Sequence, residues 1–157
     1  MIKHDKFIQR AVLLSREGMR SGKGGPFGAV VVKNGKIIGE GFNQVTSTND
    51  PTAHAEIVAI RNACKHLGTF SLQGCEIYCS CEPCPMCLSA IYWAHIEKIY
   101  YANSKFDAAA IGFDDAFIYE QLAKSPEARS IALEKVHHSE AIKVFEEWKN
   151  MTNKIPY

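Results

Sequence analysis

Cys79-Ser80-Cys81-Glu82-Pro83-Cys84-Pro85-Met86-Cys87 gathers four of the chain's six cysteines into one short stretch. A disulfide framework spreads its cysteines along a chain to join distant loops, so this clustering points to a metal. Cys84 and Cys87 have the two-residue gap that lets both sulfurs reach one ion. Cys81 and Cys84 have the same gap, so spacing alone leaves the register open. Pro83, just ahead of a helix-like run from Cys84 to Ala94, favours Cys84 and Cys87. At i and i+3 of a first turn those two share one face, and the positive helix end favours their thiolates. A structural clip, a redox pair and half of a catalytic site all fit the stretch by itself.

Working outward, Cys75 to Ser80 reads as a strand feeding the cluster, and Ile96 to Ala102 as another beyond it. Upstream, Asp50 or Thr52 is expected to cap a helix running to about Leu67, where Gly68 ends it. Phe27 to Lys33 and Lys36 to Asn43 flank Asn34-Gly35, the strongest short signal of a hairpin. A first helix carries Phe7, Ile8, Ala11, Val12, Leu14 and Met19 on one apolar face. Its end at Ser21 to Pro26 is rich in glycine but lacks a Gly-Lys-Ser/Thr ending, which argues against a phosphate cradle. The last third is expected to be helical near 115–124, strand over 131–136 and helical over 140–148. Alternating helices and strands around a hairpin imply a three-layer α/β/α domain with a mixed sheet.

His54-Ala55-Glu56 falls in the expected first turn of the second helix. Mid-helix, residues two apart point to opposite sides, but first-turn side chains splay around the axis end. His54 is therefore expected to ligate a metal off the helix end, with Glu56 facing the same pocket as a non-ligand. One His and two Cys make three protein ligands with no fourth in sight, the arithmetic of a catalytic zinc (Zn2+) site with a position left for water. Zinc lowers the pKa of that water toward about 7, which gives a hydroxide nucleophile near neutral pH. Glu56 then serves as proton shuttle between nucleophile, ring nitrogen and leaving amine.

Composition is that of an ordinary globular protein, with 46% hydrophobic and 22% charged residues, and 157 residues suit one domain. A formal net charge of +1 gives no overall attraction to nucleic acid or a membrane surface. Residues 1–7 contain no apolar leader core, and no run reaches the length of a membrane span. The expected setting is cytoplasmic, with reduced cysteines.

His54-Ala55-Glu56 and Pro83-Cys84-Pro85-Met86-Cys87 match every fixed position of the His-x-Glu and Pro-Cys-x-x-Cys signature of zinc deaminases. The chain thus resembles the cytidine and deoxycytidylate deaminase superfamily over roughly residues 5 to 120. Gly25-Pro26-Phe27-Gly28-Ala29, Asn49-Asp50-Pro51-Thr52, Ala90-Ile91-Tyr92-Trp93-Ala94 and Gly112-Phe113-Asp114-Asp115 are similar to bacterial guanine deaminases of the small zinc type. This resemblance implies a cytidine deaminase-like α/β fold with a five-stranded mixed sheet. It implies hydrolysis of guanine to xanthine and ammonia by attack at C2, with Glu56 protonating N3. By the same resemblance Asn43 and Asp115 hold the purine base, Phe27 and Trp93 line its pocket, and Tyr157 closes it. Asp114 stands as the alternative to Asp115. The resemblance also implies a homodimer in which the C-terminal segment, about 138–157, is exchanged between subunits.

Against these stand plainer roles. Cys64, Cys75 and Cys79 read as small buried apolar side chains, and Asp114 and Asp115 as helix caps. A redox pair leaves His54 and Glu56 unexplained. A tRNA-specific adenosine deaminase, the nearest rival, needs a basic C-terminal helix, but Glu140, Glu146 and Glu147 there face only Lys143. A non-catalytic zinc-stabilised binding module is the rival from a different class.

Overall fold

Hydrogen bonding in the hairpin fixes the centre of the fold. The computed structural model describes residues 4–157, so the reading of residues 1–7 lies partly outside it. Strands β1 (Gly28–Lys33) and β2 (Lys36–Phe42) pair antiparallel across Asn34 and Gly35. Both turn residues have positive φ, 51° and 74°, as a two-residue hairpin turn requires. Strand β3 (Cys75–Cys81) pairs antiparallel with β1 and parallel with β4 (Lys98–Asn103), giving a mixed sheet ordered β2-β1-β3-β4.

Helices α1 (Asp5–Arg20), α3 (Ala55–Leu67) and α4 (Pro85–Trp93) cover the sheet, with a short α2 (Val45–Thr48) between hairpin and α3. Alternate strand residues point to opposite faces. Val30, Val32 and Tyr78 pack with Phe7 and Leu14 of α1. Ala29, Val31, Ile77 and Cys79 pack instead with Ala55, Ala59 and Ala63 of α3 and Ile91 of α4. Burial of each large apolar side chain contributes about 1.5–3 kcal/mol, so both faces hold the sheet between helix layers. Helices α5 (Lys105–Ala110), α6 (Ala116–Ala123) and α7 (Ser139–Asn150) complete the chain.

The approach of α3 to β2 is unusually close. A Cβ at Gly41 would stand 2.4 Å from the Ala55 carbonyl oxygen and 2.6 Å from the Ala59 nitrogen, and Gly39 is similarly crowded by Ala59 and Ala63. Gly41→Ala is expected to destabilise the fold by about 1–3 kcal/mol, because backbone rather than a flexible side chain must yield. A urea melt checks this, and an unchanged midpoint would contradict it.

Among the described residues the sheet has four strands where five were expected. The apolar run 131–136 forms no strand: Ile131, Leu133 and Val136 are 82%, 64% and 79% exposed. The cap of α3 also differs from expectation. Asp50 accepts hydrogen bonds from the Thr52 amide and hydroxyl at 2.8 and 2.7 Å, closing a turn upstream, and His54 takes the N-cap position. Likewise α4 begins at Pro85, and Cys84, expected as its first residue, is its N-cap.

The chain divides into a first compact unit ending at Phe117 and a second, Ile118–Tyr157. The second unit buries no side chain. It is knit by local bonds such as Arg129 to the Gln121 carbonyl and Lys143 to Glu140.

Candidate metal centre and active site

Two helix N-termini meet at one point. His54 caps α3 and Cys84 caps α4, both with extended backbone, and neither side chain is spent on a capping hydrogen bond. The ring of His54 and the sulfur of Cys84 are thereby left to face each other. Cys84 Sγ and Cys87 Sγ each lie 3.5 Å from His54 Nδ1. The three donor atoms all fall within 4.8 Å of one another. Zinc at its usual distances, about 2.3 Å to sulfur and 2.0 Å to nitrogen, sets tetrahedral S···N edges of about 3.5 Å. Donor type and spacing both fit that ion.

Electrostatics favour the ligating thiolate at Cys84. The hydrogen bond from Cys87, aided by His54, holds the Cys84 thiol down at about 4. The same thiol contact, with burial, pushes Cys87 up. The positive ends of α3 and α4 add to the attraction for negative charge here. Cys81 stands apart, its sulfur 3.6 Å from the Ser104 carbonyl oxygen, and is not in the converging set.

Glu56 sits one turn-residue inside α3 and is 7% exposed. Its Oε2 lies 3.3 Å from Cys87 Sγ, outside the triad of donors but against it. Burial pushes its carboxyl above the ordinary carboxylate range, which favours a group that takes up and releases a proton.

Of the residues expected around the purine, some gather and some do not. Asn43 is 6% exposed, and its Oδ1 accepts from the Gly25 and Val45 amides at 3.3 and 3.1 Å. Those two donors fix the orientation of the amide, so Nδ2 is the group Asn43 has left to offer a ligand. Phe27 is half-buried against the α3 and α4 side of the core. Asp114 is drawn into the turn before α6, accepting from the Ala116 amide at 2.9 Å. Asp115 is half-buried, and its carboxyl is pushed up by burial and by its neighbours Cys84 and Glu82. Trp93 is at the far end of α4, six residues and about 9 Å along the axis from Cys87, and is 65% exposed. Tyr157 belongs to the second unit and is 74% exposed.

Phe113 is a residue that sequence reasoning passed over. Its ring meets Phe27 edge-on, with centroids 4.9 Å apart at 88°. A Cβ at Gly25 would stand 3.0 Å from Phe113 Cζ, so the glycine leaves room for the pair. The signal available was an aromatic between Gly112 and the two aspartates, in a segment quoted for its resemblance but assigned site roles only at its aspartates.

Residues 1–103 match the family model described as the cytidine and deoxycytidylate deaminase zinc-binding region, and the chain belongs to that family of zinc-dependent deaminases. Within it, the guanine deaminase of Bacillus subtilis (strain 168) is 54% identical over 154 residues, which span 98% of this chain and 99% of that one. The solved structure of guanine deaminase from Bacillus subtilis superposes with a TM-score of 0.95 and covers 98% of both chains. The guanine deaminase structure from Nitrosomonas europaea gives 0.67 at 32% identity, covering 78% of this chain and 66% of that one. A tRNA-specific adenosine deaminase from Aquifex aeolicus is 46% identical over 89 residues, covering 55% of this chain and 59% of its own length.

Proposed function

We propose that this chain hydrolyses guanine to xanthine and ammonia, with zinc held by His54, Cys84 and Cys87. When bound, zinc supplies Lewis acidity and lowers the pKa of water at the site. Glu56 accepts a proton from the attacking water and delivers protons to purine N3 and to the departing amine. Oxygen from water becomes bonded to C2, the bond from C2 to the amino nitrogen breaks, and ammonia leaves. The buried position of Glu56 keeps bulk water from competing for that proton.

The purine's N1–H and 2-amino group are adjacent donors, which suits the Asp115 carboxylate as acceptor. Asn43 Nδ2 donates to an acceptor on the ring, and Phe27 stacks against it. The observation that carries the substrate reading is the reach of the likeness to guanine deaminase, which extends through the second unit. The tRNA-specific adenosine deaminase likeness spans only about half of the chain. Steady-state ammonia release with guanine, adenine, cytosine and their nucleosides tests the reading. Turnover of guanine well above the others is expected; turnover of another base without guanine would sink it.

A homodimer is part of the same proposal. The second unit exposes Leu133, Ile142, Val144, Phe145 and Trp148 and buries nothing, so in isolation it gains no hydrophobic stabilisation. A second copy of the chain, exchanging the segment of about 138–157, covers those side chains and brings the partner's aromatic residues, among them Trp93 and Tyr157, into play. Light scattering at micromolar concentration is expected to give twice the chain mass, and a monomer mass would refute the exchange. No helix among the described residues is long and apolar enough to cross a membrane.

A further inference from the structure

Glu82 lies between the strand that leads to the cysteines and the cysteines themselves, and its side chain reaches neither metal donor nor solvent freely. Its carboxylate Oε2 accepts from the Lys105 amide at 3.0 Å, while its own amide donates to the Asn103 carbonyl at 2.8 Å. Its Oε1 is 4.0 Å from Lys105 Nζ, and the side chain is 24% exposed. Lys105 opens α5, whose other first-turn bonds come from a capping box between Ser104 and Asp107. Glu82 therefore satisfies one of the two first-turn amides, those of Lys105 and Phe106, that the box leaves over.

What α5 carries gives this bond its consequence. The helix is six residues long, about 9 Å, and ends in a tight turn. In that turn Gly112 has φ 93° and the Phe113 amide returns to the Ala108 carbonyl at 3.0 Å. Phe113 then meets Phe27, and Asp115 follows two residues later. A stiff element pinned at its start by Glu82 fixes the place of the aromatic and the carboxylate at its end.

We infer that Glu82 is a positioning residue, tethering the 105–115 segment that carries Phe113 and Asp115 to the loop that presents Cys84 and Cys87. The inference rests on the guanine reading above, in which Asp115 contacts the purine. Losing the tether lets Asp115 wander from the base while metal and Glu56 stay in place, so binding suffers more than chemistry.

The test uses steady-state kinetics on the zinc-loaded full chain, with zinc content measured beside it. Glu82→Ala is expected to raise KM for guanine about tenfold with kcat within about threefold and zinc content unchanged. Glu82→Gln keeps an acceptor oxygen and should restore KM to within about twofold of the unaltered chain. Lys105→Pro removes the same bond from the donor side at a first-turn position that tolerates proline, and should reproduce the tenfold rise. Lys105→Ala retains the amide and should leave KM near its original value. An unchanged KM in both Glu82→Ala and Lys105→Pro overturns the inference, as does an equal rise in Lys105→Ala, which would assign the effect to charge. Asp115→Asn is measured alongside. If it raises KM while the tether variants do not, the inference falls alone; if guanine is not turned over at all, both readings fall.

Discussion

Glu56→Gln binds zinc as the unaltered chain does and loses about a thousandfold in kcat. The expectation follows from where the carboxylate sits. Its oxygens are not among the three converging donors, so the metal set survives the change. Gln has nearly the same shape and size, so it fits the buried place of Glu56 beside Cys87 without disturbing the start of α3. What Gln lacks is a proton it can take and give, and a single well-placed acid–base group is worth about 10²–10⁴ in rate. Zinc stoichiometry by mass spectrometry and single-turnover rates measure the two halves separately. Loss of zinc would make Glu56 a ligand, and retained turnover would remove it from the chemistry.

Cys87→Ala, by contrast, loses the metal and with it all measurable turnover. Cys87 is fully buried in the first turn of α4, and alanine occupies its place without a clash. Removing a direct ligand should weaken zinc binding by well over about a hundredfold, since outer contacts alone are worth about 10–100-fold. Cys81→Ala is the matched control, because its sulfur lies against the Ser104 carbonyl and away from the cluster. Competition with a chromogenic chelator ranks the variants. Equal zinc loss in the two would return the ligand register to the ambiguity that spacing leaves.

The metal set was legible because its signal is local and chemical: a His and a Cys pair, each at the start of a helix after a turn. The hairpin was legible for the same reason, through Asn34-Gly35. The cap of α3 was misread because capping rules score side-chain oxygens, and Asp50 spends its oxygen on Thr52 instead. His54 takes that place with an extended backbone, and its ring faces the cysteines. The strand expected over 131–136 has strand composition but needs an edge to pair with, which residue preference does not supply. Helix α5 was missed because six residues carry too little periodicity, although Ser104 and Asp107 spell out its capping box. The aromatic partner of Phe27 lies 86 positions away in sequence at Phe113, a contact no local pattern reports.

The central claim is that water replaces the 2-amino group of guanine at this site. The zinc-loaded chain incubated with guanine in oxygen-18 water tests it most directly, with the product read by mass spectrometry. The account predicts xanthine carrying one heavy oxygen, formed one-for-one with ammonia and absent in Glu56→Gln. Unaltered guanine alongside inosine formed from adenosine in a tRNA anticodon stem would contradict it.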